Sequence, residues 1–526
     1  MLQIPDVSMI ELIDEACDRN GNALCLKQDA LEITYGEVQA ASRKTANAFI
    51  AAGLSKGFRC AFLTPNDAWS VAAILGVIRA GGVWMPLNPR NSLQDNIDLL
   101  VRFGCDALIL HSSFEHNVEA FRSALPDLGI VKGLDPECER LDSFWGWAET
   151  APQAPEYPKA APEDLVFTPT TGGTSGTPKA VGLSNRNFVA VLVNHAHSGK
   201  DRLNPVSLCA APMTHVGGRL VFGVMVRDGA SIVLTQIDPQ TILKTIEAER
   251  ISEMFLPPSA IYSLLDQPNV TDFDYSSLRA VAYGSAPMSV ARLKEAIRTF
   301  GPVMIGGFGQ TECPMSIAEF KPAEHFVNQD IHGDLVPDSR LRSCGRRTAI
   351  STLAILDDDG VELPTGERGE IAVKGPMVME GYVDNPEETA KTRRNGWHLT
   401  GDIGYLDEEG YLYIVDRKKD MIVTGGFNVF SAEVEGVISA MDDVVECAVI
   451  GVPDQKWGEA VKAVVRLAEG SPLTEDDIIA FCRDKLGGVK TPKSVDFVDD
   501  FPRSTVGKIL KRQIRAPYWQ GRARSV

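Results

Sequence analysis

The residues best suited to chemistry form one run, Thr170 to Val181, which reads TTGGTSGTPKAV. It sets Gly172, Gly173 and Gly176 among the hydroxyls of Thr170, Thr171, Thr174, Ser175 and Thr177, followed by Pro178 and Lys179. Glycine lets the backbone turn where a β-carbon would clash, so several amide N–H groups can converge on one anion. Hydroxyls add short hydrogen bonds, and lysine brings a mobile positive charge. The run therefore reads as a phosphate-holding loop. A surface linker would explain its glycines but neither Lys179 nor the apolar Leu165, Val166 and Phe167, which read as a strand feeding it. It is not the loop of the common phosphate-binding ATPases. That pattern needs G-x-x-x-x-G-K-[ST], and here Lys179 follows Pro178 and precedes Ala180.

Five further stretches carry polar groups in turn-rich settings. They are PMTHVGG with His215, GGFGQTE with Glu312, TGD with Asp402, DRKKD with Arg417 and Lys419, and PRSTVGK with Lys508. Taken singly, Glu312 is an ordinary solvated acid, Asp402 a turn residue, Lys508 a surface lysine and His215 a core histidine. Only the ordered set says more.

The elements that must position these residues can be read from periodicity. TYGEVQAASRKTANAFIAAGL has a helical period and stops at Gly53; Cys60 to Leu63 reads as a strand, Ala68 to Arg79 as a helix and Val83 to Leu87 as a strand. Leu99 to Leu110 repeats the helix–strand pair. Such alternation predicts an α/β fold of parallel sheets with helices on their faces. A proline-rich connector, Ala151 to Pro162, precedes the loop. Further on, the strand Val206 to Ala211 enters PMTHVGGRL, Leu278 to Ala282 enters the turn YGSAPM, and Val303 to Ile305 enters GGFGQTE. Strand ends that run into glycine turns are where ligands sit in open α/β sheets.

Thr352 to Tyr382 has the short strands and turns of a β-rich subdomain. After Arg417 the texture becomes compact α+β, with a helix at Ser431 to Ser439 and strands at Val444 to Ile450 and Ala460 to Leu467. A second helix, Thr474 to Leu486, is opened by a capping box of Thr474 with Asp477 and closed by Gly487. The expected division is a large N-terminal domain, 1–416, and a small mobile domain, 417–526.

Composition narrows the partners. The chain has 526 residues, 44% of them hydrophobic, enough for large cores. Its formal charge of −18 argues against nucleic acid or an anionic membrane as the main partner. Ten scattered cysteines never form C-x-x-C, so neither zinc nor a redox motif is expected, and a reducing, cytoplasmic setting is. The first residues lack the order of a signal peptide and the last are not a peroxisomal address. The most apolar window, Val71 to Leu87, is broken by Arg79, Gly76, Gly81, Gly82 and Pro86, which reads as core, not as a transmembrane segment.

The loop Thr171 to Ala180 fits throughout the pattern T-[SG]-G-[ST]-[ST]-G-x-P-K-[GA], and so resembles the signature of the acyl-adenylate-forming superfamily: acyl-CoA synthetases, peptide-synthetase adenylation domains and luciferases. Phe308-Gly309-Gln310-Thr311-Glu312 resembles its [YF]-G-x-T-E motif, Thr400-Gly401-Asp402 its T-G-D, Asp416 to Asp420 its hinge, and Pro502 to Lys508 its C-terminal lysine motif. The resemblance spans nearly the whole chain. It implies binding of ATP by Thr171, Gly172, Gly173, Thr174, Ser175, Gly176 and Lys179, by Ser285, Ala286 and Pro287 at the purine edge, and by Gly307 to Thr311, with Phe308 stacked on adenine. Asp402 and Arg417 would take the ribose hydroxyls, and Glu312 with Thr174 would hold Mg²⁺. Lys508 would bridge the acid and the phosphate in the adenylating state, Lys419 would mark the hinge, and Gly425, Gly426 and Phe427 would line the tunnel for coenzyme A.

The acid is read from fewer residues. By the resemblance His215 stands beside the substrate carboxyl and, with Thr174, Glu312 and Lys508, belongs to the catalytic set. Asn194, His195, Val216, Gly217, Gly284, Gly307 and Met315 are expected pocket walls, small or apolar enough for a medium- or long-chain, aryl or alicyclic acid. Acetate enzymes of the family close the pocket with a tryptophan where this chain has Gly306 and Gly307. Arg219 reads either as a solvated helix residue, the favoured expectation, or as a contact to the acid's tail or to coenzyme A. The resulting expectation is an AMP-forming carboxylic acid–CoA ligase acting on small molecules, with a homodimer allowed. The alternatives are an adenylating enzyme with another acceptor, such as a carrier protein or oxygen, and a non-catalytic acyl-nucleotide-binding protein. No fused carrier domain is expected after Lys508, and the presence of Lys508 and Glu312 speaks against a dead enzyme.

Overall fold

The computed structural model describes residues 2–154, 156–171, 178–314, 317–503 and 509–520. Gly172, Gly173, Thr174, Ser175, Gly176, Met315 and Lys508 therefore lie outside the described residues. By contacts the chain divides into two compact units, Met1–Leu353 with Val373–Arg393, and Ala354–Ala372 with Arg394–Val526.

The first unit is built on two mainly parallel sheets. In one, Leu165–Phe167, Val83–Pro86, Arg59–Leu63, Ala107–Leu110 and Ile130–Gly133 run parallel, and Lys179–Ser184 and Gly381–Tyr382 extend the edge antiparallel. In the other, Leu24–Gln28, Ala230–Val233, Val206–Cys209, Glu253–Leu256, Ala280–Gly284 and Met304–Phe308 run parallel. Their antiparallel edges are Leu31–Thr34 at one end and Ala318–Phe320 and Arg346–Arg347 at the other.

The helix Ala68–Arg79 shows why the apolar window is core. All its residues except Trp69 are buried, so it is hydrophobic on every face. A β-carbon on Gly76 would stand 2.3 Å from Cβ of Thr45, so only glycine admits the neighbouring helix Tyr35–Ala51. Arg79 is buried but bidentate to Asp14 at 2.7 and 2.6 Å, which compensates its desolvation. The next helix begins at Leu93, six positions before the expected Leu99, because Ser92 caps it by accepting from the amide of Asp95 at 3.1 Å.

In the second unit, Gly369–Lys374, Trp397–Leu406 and Leu412–Arg417 belong to a sheet begun by Thr352–Leu356. A second sheet joins Phe427–Val429, Ile422–Thr424, Gly458–Leu467 and Val444–Asp454 antiparallel, with Ser494–Phe497 added parallel. The helices Ser431–Ile438 and Glu475–Lys490 cover one face through Val434, Ile438, Ile478 and Cys482. Phe501, Ile509 and Ile514 pack with Ala448, Ile450 and Val464 in a separate cluster. The Thr474–Asp477 capping box forms as expected, and Gly487 breaks helical geometry at φ +73° before the helix resumes to Lys490. No helix among the described residues is long and apolar enough to cross a membrane.

Candidate active site

Three loops leave the C-terminal ends of parallel strands in one sheet, two of them neighbours and the third separated from these by Glu253–Leu256. Val206–Cys209 leads to His215, Ala280–Gly284 to Ser285, and Met304–Phe308 to Glu312. Gly284 and Gly307 are register partners, and a β-carbon on Gly284 would lie 2.6 Å from the Gly307 carbonyl oxygen. Ser285 holds φ +68°, and Ser285, Ala286 and Pro287 are exposed, leaving the turn's backbone groups open to a ligand edge. Phe308, at its strand end, is 8% exposed. Beyond it Gln310 and Cys313 exchange backbone hydrogen bonds at 3.1 and 3.2 Å, which closes Gln310, Thr311, Glu312 and Cys313 into a tight turn.

The phosphate-loop legs are a β pair, with Thr170 opposite Ala180 and Thr171 opposite Lys179. The Lys179 ammonium is ion-paired with Glu388 and lies 4.9 Å from the centre of the Tyr382 ring. The Tyr382 hydroxyl donates to Glu312 Oε1 at 2.7 Å, and the Met379 amide donates to the Glu312 carbonyl at 2.9 Å. The structure thus joins the phosphate-loop lysine and the expected metal ligand through Tyr382. Lys179 and Lys391 hold the Glu388 carboxyl down to about 2, while burial and Glu312 push the Tyr382 phenol up. Sequence reading missed Tyr382 and Glu388. The available signal was GYVDNPEET, where Asn385 caps the helix Pro386–Lys391 and fixes Glu388 in its first turn.

No cluster of three or more His, Cys, Asp or Glu side chains able to hold a metal occurs among the described residues. Glu312 still suits Mg²⁺. That ion keeps several waters and substrate phosphate oxygens and needs only one or two protein oxygens, and Tyr382 restrains one side of the carboxylate.

His215 is the N-terminal cap of the helix Val216–Val226, with Nδ1 2.9 Å from the Thr214 hydroxyl. Burial, reinforced by Arg219 and Arg90, pushes the imidazole down to about 4, so it is neutral at pH 7. The unfolded chain binds this proton near 6.5 and the folded chain does not, so stability falls as pH drops from about 6.5 to about 4. His215→Gln should remove that part of the slope: about 2 kcal/mol of relative stabilisation at pH 5, and none from this source at pH 7, by chemical denaturation. Identical slopes in the two proteins would exclude a buried neutral His215.

The expected pocket walls divide. Gly217 lines a small cavity with Leu208, Ala211, Leu220, Val221 and Phe255, and its β-carbon would strike the Ala211 carbonyl oxygen at 2.3 Å. Val216 is half-buried at the helix start, and Asn194 is buried with Oδ1 unpartnered. His195 is half-buried and held by two buried groups: Arg227 donates to its Nε2 at 2.8 Å and is ion-paired with Glu253. Two expectations need correction. Gly306 does not open the pocket, because a β-carbon there would meet the Tyr283 hydroxyl oxygen at 2.9 Å and Phe320 at 3.1 Å; at Gly307 it would make only an ordinary contact, with the Tyr283 carbonyl oxygen at 3.7 Å. Arg219 is not solvated but 7% exposed, because its helix packs it inward over the Phe167 ring.

In the second unit, Asp402 and Arg417 are register partners, with Arg417 Nε 2.7 Å from Asp402 Oδ1. Lys419 lies in the turn Lys418–Asp420, and burial, then Arg417, pushes its ammonium down to about 8. Gly425 and Gly426 hold φ +58° and +81°. Trp457, which sequence reading passed over, stands where a Gly425 β-carbon would fall, and both it and Phe427 are exposed. Arg503 and Ile509 are bridged antiparallel on either side of 504–508.

Residues 13–383 match the sequence model of the AMP-binding enzymes, and 433–508 that of the AMP-binding enzyme C-terminal domain. The medium/long-chain-fatty-acid–CoA ligase FadD8 of Mycobacterium tuberculosis is 35% identical over 98% of this chain and 91% of its own. A feruloyl-CoA synthase of Amycolatopsis is 33% identical over 94% of this chain and 96% of its own. The crystal structure of ATP-bound MatB from Rhodopseudomonas palustris superposes with a TM-score of 0.87 at 31% identity, covering 97% of this chain and 99% of that one. With both family domains matched over most of its length, the chain belongs to the AMP-binding enzyme family.

Proposed function

We propose that the protein is an AMP-forming carboxylic acid–CoA ligase. The acid's carboxylate oxygen attacks the α-phosphorus of ATP and the bond to pyrophosphate breaks. The thiol of coenzyme A, losing its proton, then attacks the acyl carbon and AMP leaves. The observation that carries the reading is the chain Lys179–Tyr382–Glu312 beside the purine turn, a phosphate clamp and a metal ligand coupled by one side chain. Full-length similarity to a fatty-acid ligase and a feruloyl-CoA synthase supports both the reaction and a mid-sized or aryl acid.

The roles follow chemistry. Attack on the α-phosphate builds negative charge on phosphate oxygens, which fixed donors and cations stabilise. Thr171, Thr174 and Lys179 bind phosphate, Thr311 donates to the α-phosphate, and Ser285 to Pro287 meet the purine. Asp402 accepts from ribose hydroxyls with Arg417 beside it. Mg²⁺, held by Glu312 and Thr174, neutralises phosphate charge when bound. His215, neutral, can donate or accept a hydrogen bond at the carboxyl. Lys508 serves adenylation, and a conformational change about Lys419 lets Gly425, Gly426 and Phe427 guide the thiol. We place the enzyme in the cytoplasm, in keeping with its ten free cysteines, and a homodimer is testable by sedimentation.

The test is pyrophosphate release over a panel of acids, with and without coenzyme A. Thioester should form with free coenzyme A; accumulated acyl-AMP that it cannot discharge would favour a carrier-protein acceptor. Acetate should be poor because Gly307 leaves the wall open. At roughly 0.8 kcal/mol per buried CH₂, about three more methylenes improve kcat/KM on the order of fiftyfold. An enzyme fastest with acetate would contradict that pocket.

A further inference from the structure

Arg219 is a buried cation with no counter-charge. It lies in the first turns of the helix Val216–Val226, 7% exposed, and Nε has no hydrogen-bond partner. No ion pair reaches its guanidinium among the described residues, and none of the residues outside that set has an acidic side chain. The other deeply buried arginines are paired, Arg79 with Asp14 and Arg227 with Glu253. Burying an ionised group alone is among the most destabilising things a core can do, so such a group points to a missing partner.

The surroundings say what the partner is. The Arg219 guanidinium lies 6.0 Å from the centre of the Phe167 ring, and Trp84 stacks on the same ring at 4.4 Å. Trp84 Nε1 is also buried without a partner. An arginine and an indole can only donate, so each of these orphaned donors lacks an acceptor, and for the guanidinium an anionic or carbonyl oxygen suits best. Phe167 ends the strand that leads to the phosphate loop, and Arg219 is four residues beyond His215, a rise of about 6 Å along the helix. An acid whose carboxyl meets His215 would reach Arg219 only with a second group several bonds away.

Resting on the ligase reading above, we propose that Arg219 is a specificity residue that holds a second oxygen function on the acid, so that the preferred substrates are dicarboxylic or oxo acids, not plain hydrocarbon acids. A site built to hydrogen-bond a substrate group rejects the analogue lacking it far more strongly than an apolar pocket rejects a missing methylene.

The test compares a homologous series of straight-chain monocarboxylic acids with ω-dicarboxylic and ω-keto acids of matched length, using pyrophosphate release by the full-length enzyme, wild type, Arg219→Leu and Arg219→Lys. The wild type should favour an oxygenated acid over its matched plain acid by about 10² or more in kcat/KM. Arg219→Leu should reverse that preference, mainly through KM, and Arg219→Lys should keep part of it. Without substrate, Arg219→Leu should also melt several degrees higher, because an unpaired buried charge has gone. Equal loss toward both series, or a lower melting temperature with such loss, would overturn the proposal in favour of a packing role or a contact to the reacting carboxyl. A wild type that prefers plain acids would overturn it while leaving the ligase reading intact. Release with no acid of either series would instead reject the ligase reading, and this inference with it.

Discussion

Lys508→Ala should lower acyl-adenylate synthesis by about 10² to 10³ or more, the usual effect of removing one donor that meets charge only in the transition state. The same variant should still convert prepared acyl-AMP and coenzyme A to thioester if the lysine, as proposed, serves only the first half-reaction. The fold around the position favours a clean experiment. Phe501 and Ile509 pack in one apolar cluster, the Leu510 amide donates to the Pro502 carbonyl at 2.8 Å, and Arg503 bridges to Ile509. Lys511 is anchored to Glu435 and to the Ser431 hydroxyl, each at 2.7 Å. None of these contacts uses the Lys508 side chain, so thermal stability should match wild type. Lys419→Pro should give the opposite pattern: a fixed φ in the Lys418–Asp420 turn resists rotation, leaving adenylation and lowering thioester formation. Equal loss of both half-reactions in each variant would reject alternation between conformations and leave one static site.

Local chemistry made much of this site legible in the amino-acid sequence. The helix Ala68–Arg79, the Thr474 cap and the strands entering the GGFGQTE and YGSAPM turns follow from periodicity and capping, which act over a few residues. What stayed hidden depends on distant partners. Tyr382 reaches Glu312 across 70 positions, and Glu388 reaches Lys179 across 209, so neither pairing has a local signal. Arg219 was misread for the same reason. A charged residue four places after a histidine reads as a helix surface until the packing of the helix is known. Gly306 and Gly307 were read alike, yet strand alternation points one at Tyr283 and Phe320 in close contact and gives the other room for a β-carbon. The C-terminal sheet, by contrast, was readable because Val444–Asp454 and Gly458–Leu467 carry short, valine-rich apolar runs, a local strand signal.

Glu312→Gln should lower adenylation by about 10² or more at low millimolar Mg²⁺, with a rightward shift in the Mg²⁺ concentration that gives half the maximal rate. The amide keeps the size of the side chain and can still accept from Tyr382, so the Gln310-to-Cys313 turn should hold and stability should change little. What it loses is a negative charge for a hard cation. Tyr382→Phe separates positioning from ligation. It removes only the hydroxyl that fixes Glu312 Oε1 and keeps the ring beneath Lys179, so its rate loss should be smaller, about tenfold, with a modest Mg²⁺ shift. Lys179→Met should instead raise KM for ATP with little change in the Mg²⁺ midpoint, because it deletes a phosphate cation and not a metal ligand. If Glu312→Gln and Lys179→Met moved the Mg²⁺ midpoint equally, Glu312 would be acting through the Lys179–Tyr382 contact and not on the metal. An unchanged midpoint in Glu312→Gln would remove it from the metal site altogether.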